Sequence, residues 1–354
     1  MVGALPTIVT YLEKLRLGEI IDEVVPWEGE VGLGTLVEVL ICCRMLNPKA
    51  QYKIGAWAKK SGVCDYFEVT EAQLNDDRLG RALERVAAHA FSIQALLVLH
   101  VIKTFKLDVR NIHYDISNIE LFGAYERQLG EDGYAEVGPT PAYGRTKSGR
   151  KNVKQVQFGL NVARDGAVPI GVIPLDGNQA EVKTHIENLE RLRAMLPKTP
   201  LVYTADTKLD SPENLLTIKA QGGQFLCGGV FQPHLKEEYL KIVGKMILVD
   251  YCPKSKAHLP PDRRPQYKVY EVKKTIEGRV DNRNTRLTYR LLFVWSEAKA
   301  TEEAKTRERH MKRALARGPT LLKRAELPTK GRTNKVIEVR HPYKPSARRR
   351  TPRL

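Results

Sequence analysis

Ile112-His113-Tyr114-Asp115-Ile116-Ser117 alternates apolar and polar side chains, and Leu201-Val202-Tyr203-Thr204-Ala205-Asp206 is a short apolar run that ends in an acid. A period of two marks a strand with two different faces. Ile112, Tyr114 and Ile116 point one way, and His113, Asp115 and Ser117 point the other. The second run reads as a short buried strand. Between the two, Val156, Phe158, Leu160 and Val162 alternate again, Arg164-Asp165-Gly166 supplies a hairpin turn, and 168–175 forms a third strand. After Asp176-Gly177-Asn178, apolar residues at 182, 186, 189, 192 and 196 fit an amphipathic helix stopped by Pro197. Ser211-Pro212-Glu213 opens a further helix that ends at Gly222-Gly223, and 225–230 is a fifth strand. The order is β-β-β-α-β-α-β. It predicts an α/β fold with an RNase H-like mixed sheet and flanking helices, in which the strands bearing Asp115 and Asp206 are central neighbours.

Working outward, residues 1–107 read as a helical N-terminal domain able to bind DNA. Asn75 caps a segment with apolar residues at 79, 82, 83 and 86, the spacing of one helical stripe. Lys53, Lys59, Lys60, Arg78, Arg81 and Arg85 could reach phosphates from these helices, or simply form a solvated face. Residues 108–230 hold the first part of the core. Residues 231–295 read as a β-rich insertion, with strands over 269–276 and 287–295 joined by the polar turn 280–284. A charged helix is expected over 296–326, with Gly318-Pro319 as its stop after Arg317. The basic, Pro-rich tail 327–354 is expected to be disordered.

Charge narrows the partner. The 354 residues carry 58 Lys and Arg against 41 Asp and Glu, a net charge of +17, and 301–354 alone holds 17 basic residues against 5 Glu. Such a field concentrates polyanions, which makes nucleic acid the leading partner. The longest nearly uncharged apolar run, 93–102, is far short of the roughly 20 residues that span a bilayer, so no membrane association is expected. The N-terminus becomes charged too early for a secretory signal, which leads us to expect a cytoplasmic, nucleoid-associated protein. Cys42, Cys43, Cys64, Cys227 and Cys252 contain no C-x-x-C pair, so free thiols are expected rather than zinc or disulfides.

Two carboxylates on neighbouring strands are hard oxygen ligands suited to Mg²⁺ or Mn²⁺. A pair of such ions can activate an attacking oxygen and stabilise the leaving one at a phosphodiester. The bland alternatives are an acid capping the turn after its strand, for Asp206, and a solvent-facing strand residue, for Asp115. The joint placement favours the metal reading.

The chain also resembles a family. Tyr114-Asp115-Ile116-Ser117 with Phe122-Gly123-Ala124-Tyr125, Lys154-Gln155-Val156 with Gly159-Leu160, Gly177-Asn178, and Tyr203-Thr204-Ala205-Asp206 with Ser211-Pro212-Glu213-Asn214 are similar to bacterial insertion-sequence transposases of the DDE class. The segment Asn75 to Leu83 resembles the N-terminal helical domain of one branch, and the likeness spans roughly residues 20–300. Asp206-Thr207-Lys208 departs from the glycine usual near the second acid. The resemblance implies catalytic, metal-binding acids at Asp115 and Asp206, two Mg²⁺ or Mn²⁺ ions, and a β-rich domain inserted before a third acid. It also implies double-stranded DNA partners, both the element's terminal inverted repeats and target DNA, and action as a homodimer on DNA. Lys151, Lys154, Lys208, Arg348, Arg349 and Arg350 are candidate nucleic-acid contacts.

The third acid of the family, a Glu within Tyr-x-x-Arg-x-x-x-Glu, has no convincing copy. Tyr270, Lys273 and Glu277 match the spacing on a segment that alternates as a strand, and Glu302, Glu303 and Glu308 have the pattern of a solvated helix face. The expectation is a transposase cut short before that Glu. A DNA-binding remnant without catalysis and a nuclease of the same fold are the competing readings.

Overall fold

A computed structural model describes residues 3–125, 138–150, 152–197, 199–230 and 232–326, with the side chains of 320–326 excepted. The described residues fall into two compact units, one drawn from 3–228 with Glu277–Thr285 and the other from 229–276 with 286–326.

The first unit begins with seven helices: α1 (Leu5–Leu15), α2 (Leu17–Val24), α3 (Leu33–Leu46), α4 (Ile54–Ser61), α5 (Val63–Tyr66), α6 (Asp76–Ala88) and α7 (Ala90–Phe105). Their shared core includes Leu33, Leu36, Val39, Leu74, Leu79 and Ala82, all with 1% exposure or less. Withdrawing each such Leu from water contributes roughly 1.5–3 kcal/mol. Gly34 lets α3 cross α2 closely, since a Cβ there would strike the backbone of Gly18. Asn75 caps α6 as its position predicts, its side chain accepting from the Arg78 N–H at 2.9 Å. The stripe differs in one place: Leu79 and Ala82 are buried, whereas Leu83 is exposed, because it lies at the margin of the face that meets the core.

The sheet follows. Its strands are β1 (Asn111–Leu121), β2 (Ala142–Tyr143), β3 (Lys154–Ala163), β4 (Pro169–Leu175), β5 (Val202–Ala205) and β6 (Gln224–Cys227), with helices α8 (Glu181–Met195) and α9 (Pro212–Ala220) between the later strands. β1 pairs antiparallel with β3 and parallel with β5, β5 pairs parallel with β6, and β3 pairs antiparallel with β4 and, at its start, with the short β2. The path β4-β3-β1-β5-β6 is the RNase H-like order, and the predicted fold class holds. β2 was not foreseen, as two residues carry no periodicity. The hairpin between β3 and β4 turns through positive φ at Gly166 and Ala167.

Several residues that carry the family likeness serve the frame. The buried side chain of Gln155 donates to the Gly177 carbonyl at 2.7 Å and accepts from Asn118 at 2.8 Å. Gly177 passes so close to β2 and β3 that a Cβ would run into the Gln155 carbonyl and lie 2.8 Å from the Ala142 nitrogen. Ser211 caps α9, and Asn214 reaches from α9 to the Val182 carbonyl at 3.1 Å, joining the first turns of α8 and α9.

A buried polar network pins α8 to the sheet. Asn188 on α8 and Asn161 on β3 exchange amide hydrogen bonds of 2.6 and 2.8 Å, and Asn188 also donates to the Tyr203 hydroxyl at 2.8 Å. His185 Nδ1 lies 3.3 Å from the same hydroxyl. Burial pushes the His185 imidazole down to about 4, against a small opposing pull from Asp206, and pushes Tyr114 beside it up to about 12.

The second unit contains α10 (Pro233–Ile242), β7 (Ile247–Val249), most of β8 (Tyr267–Val280) and β9 (Arg283–Ser296), and α11 (Glu297–Glu326). β7, β8 and β9 form a three-stranded sheet, and the β8–β9 turn places Asp281 and Asn282 at positive φ, as a tight hairpin requires. Tyr239 of α10 packs near Phe293, and Lys274 pairs with Glu238 at 2.7 Å. The helix α10 was not anticipated, although Pro233 in its first turn is a helix-start signal. Gly318-Pro319 does not stop α11, which continues to Glu326. The tail 327–354 lies outside the described residues. Among the described residues, no single helix is long and apolar enough to cross a membrane.

Two outcomes follow from this frame. Gly177→Ala should lower unfolding stability by about 1–3 kcal/mol in a denaturant titration, because the added methyl meets backbone rather than a movable side chain. His185 is protonated near 6.5 in the unfolded chain and near 4 in the folded one, so its contribution is complete above about 6.5 and is lost as pH falls toward 4. The slope is at most about 1.4 kcal/mol per pH unit. The difference in stability between the native chain and His185→Gln should shrink across that interval; a difference independent of pH would contradict a buried neutral imidazole.

Candidate functional site

The parallel ladder between β1 and β5 pairs Asn111 with Val202, Ile112 with Tyr203 and His113 with Thr204. Continued by two residues at the same offset, it brings Asp115 level with Asp206. Asp206 itself follows the last residue of β5, where the chain turns away from the ladder. β5 ends at Ala205 while β1 runs on to Leu121, which leaves the edge of β1 at 114–116 uncovered. A narrow cleft lies there, lined by Tyr114, Asp115, Ile116, Glu181, His185, Asp206 and Lys208. Its location outside the carboxyl end of a parallel strand is where open α/β sheets hold ligands.

Both acids are exposed. Asp115 lies on the open face of β1, its side chain 77% accessible, with the Lys147 ammonium 3.8 Å away. Lys147 also donates to the Ile116 carbonyl at 2.6 Å, using the backbone acceptor that β5 leaves unpaired. Asp115 therefore does not face the buried side formed by Ile112, Tyr114 and Ile116. Asp206 caps the turn Thr207–Leu209, its Oδ1 accepting from the Lys208 N–H at 2.8 Å. The capping role weighed for Asp206 is thus present, and the residue still lines the cleft, since a cap uses only part of a carboxylate's acceptor capacity. The Lys208 ammonium points to Glu181, 3.6 Å away.

Glu181 and His185 escaped the sequence reading. Both sit in the first turns of α8, and their spacing of four places them on one helix face. His185 is 4% exposed, and its Nε2 has no hydrogen-bond partner among the described residues. Open space in the cleft amounts to about 10 Å³, room for about one water.

The other candidates are placed differently. Lys154, on β3, donates its ammonium to the carbonyls of Ala124 and Tyr125. Arg78 is braced by Glu30 at 3.0 Å and by the Gln73 carbonyl at 2.9 Å, and Lys59 pairs with Glu71 at 3.4 Å. Lys151, Arg348, Arg349 and Arg350 lie outside the described residues. Glu277 lies on strand β8, and Glu302 and Glu308 form surface pairs with Lys299 and Lys312 on α11. Cys42, Cys43, Cys64, Cys227 and Cys252 are free thiols; burial raises Cys42 to about 11 and Cys227 to about 12, so neither is a ready thiolate.

For a divalent ion, the donor chemistry fits: two hard carboxylates line one cleft, with a partnerless imidazole nitrogen on its wall. As the side chains stand, no three acidic, histidine or cysteine groups among the described residues are gathered closely enough to hold a metal.

No family model matches the sequence, and no curated protein matches it. Solved structures with some similarity to the chain include transposase complexes. A Mos1 transposase paired-end complex with the left transposon end is 10% identical, covering 61% of this chain and 72% of its own at a TM-score of 0.23. A Mos1 mariner paired-end complex with Mn is 13% identical, covering 69% of this chain and 74% of its own, also at 0.23. A piggyBac transposase synaptic complex with hairpin DNA is 13% identical, covering 78% of this chain and 60% of its own at 0.33.

Proposed function

We propose that this chain is a DNA transposase of the insertion-sequence kind, cutting and joining phosphodiesters at element ends, with Asp115 and Asp206 as metal-holding acids. The observation that carries the reading is that both acids line one cleft, at the end of the ladder between adjacent parallel strands. Support also comes from the RNase H-like strand order, from the ordered family motifs between Tyr114 and Asn214, and from the net charge of +17.

In this reading Asp115 and Asp206 would hold Mg²⁺ or Mn²⁺, as two ions. Bound there, the metal supplies Lewis acidity toward the phosphodiester oxygens. The protein's own contribution is positional. The β1–β5 ladder sets the two carboxylates side by side, and the cap made by Asp206 restrains its side chain against Lys208. Lys147 and Lys208 neutralise the cleft acids and can turn toward phosphate oxygens when DNA arrives. Double-stranded DNA, as terminal inverted repeats and target, is the proposed partner, with a homodimer as the working assembly and the cytoplasm as its place.

A second reading, a DNA-binding remnant without catalysis, is favoured by one observation: Glu277 lies on strand β8, and Glu302 and Glu308 are engaged in surface pairs with Lys299 and Lys312. Nicking of supercoiled plasmid in Mg²⁺ or Mn²⁺ separates the two. The native chain should nick, and Asp115→Asn or Asp206→Asn should each lower the rate at least by the roughly 10–100-fold typical of losing a partner at a metal site. Steeply salt-dependent DNA binding with no nicking would select the remnant, and nicking indifferent to both substitutions would remove the assignment.

A further inference from the structure

The cleft contains a third acid, which precedes the β-rich segment in the chain. Glu181 is the first residue of α8, and it lines the same small space as Asp115 and Asp206. We infer that Glu181 completes the carboxylate set of this cleft, binding the divalent cation together with Asp115 and Asp206 by exchanging its Lys208 partner for the ion. This inference rests on the metal reading of the two aspartates.

Three observations converge on it. The first is charge: three carboxylates share one cleft, and the balance is met by two ammonium groups, Lys147 at 3.8 Å from Asp115 and Lys208 at 3.6 Å from Glu181. Carboxylates gathered in this way favour a cation among them. Both pairs are solvent-exposed and therefore weak, so a divalent ion can displace either. The second is independent of charge. His185 is almost wholly buried, its Nδ1 side is taken by Tyr203, and its Nε2 has no partner although the ring lines the cleft. A buried ring nitrogen in that state calls for a ligand, and the space beside it has room for a water. The third is rigidity: the reciprocal Asn161–Asn188 pair locks α8 onto β3, so the helix start that carries Glu181 is held in place relative to the strands. Glu181 has two methylene groups with which to swing from Lys208 toward the aspartates, which accounts for the absence of a closed triad in the present side-chain arrangement.

The test is Mn²⁺ binding by the full chain, followed through the electron paramagnetic resonance signal of free Mn²⁺, with a metal-free thermal melt of each variant. Binding by the native chain, its loss in Asp115→Asn and Asp206→Asn, and a weakening of about 10–100-fold in Glu181→Gln with an unchanged melt would support the assignment. Native affinity in Glu181→Gln, with both aspartate variants defective, would overturn Glu181 and leave the aspartate pair standing. No binding by the native chain, or native binding in the aspartate variants, would overturn both. If Glu181→Gln melts early, Lys208→Met decides: it frees Glu181 and should tighten Mn²⁺ binding several-fold, and an unchanged or weaker affinity overturns the exchange.

Discussion

The parallel pairing of β1 with β5 is the constraint on which the rest of the molecule's chemistry depends. A strand alternates its side chains between faces, so a slip of one residue would turn the end of β5 over and separate Asp206 from Asp115. The register observed, Ile112 opposite Tyr203 and His113 opposite Thr204, is held by the buried face. Ile112, Tyr114 and Tyr203 are each exposed by 3% or less, and a slip would expose all of them. Hydrophobic burial on one side of the sheet thus sets the alignment of charge on the other.

The second determinant is the attachment of α8. Amphipathic burial through Leu189 and Leu192 fixes which face of the helix meets the sheet, but apolar contact alone tolerates sliding. The Asn161–Asn188 exchange does not, because displacement would strand two buried amides. With Tyr203 and His185 in the same network, the helix start that bears Glu181 is tied to β5 as well as β3. Gln155, Gly177, Ser211 and Asn214 act in the same spirit at the periphery, closing turns and helix starts around the cleft. These are residues on which the resemblance rests, and in the folded chain they serve the frame.

Much of the architecture was legible because its signals are local. Alternation over 112–117 and 156–162, the Asp165-Gly166 turn, the stripe at 189 and 192, and the Ser211 cap each depend on neighbours within a few positions. Departures arose where a local rule met a countervailing one. Pro319 lies inside α11 without ending it, and Pro233 opens a helix within the region 231–295 read as a β-rich insertion. Lys154 had the charge of a phosphate contact, yet its ammonium is taken by two carbonyls that only the folded chain brings to it.

By itself the sequence determined the β-β-β-α-β-α-β order between 112 and 227, the presence of acids at 115 and 206, and the basic character of the chain, all of which follow from side-chain period and composition. Tertiary structure alone decided which groups meet at the cleft. That Asp115 faces open solvent beside Lys147, that Asp206 both caps a turn and lines the cleft, and that Glu181 and His185 join them are consequences of strand register and helix docking. Those are set by burial and hydrogen bonding between residues distant in the chain, and no spacing along the sequence encodes them.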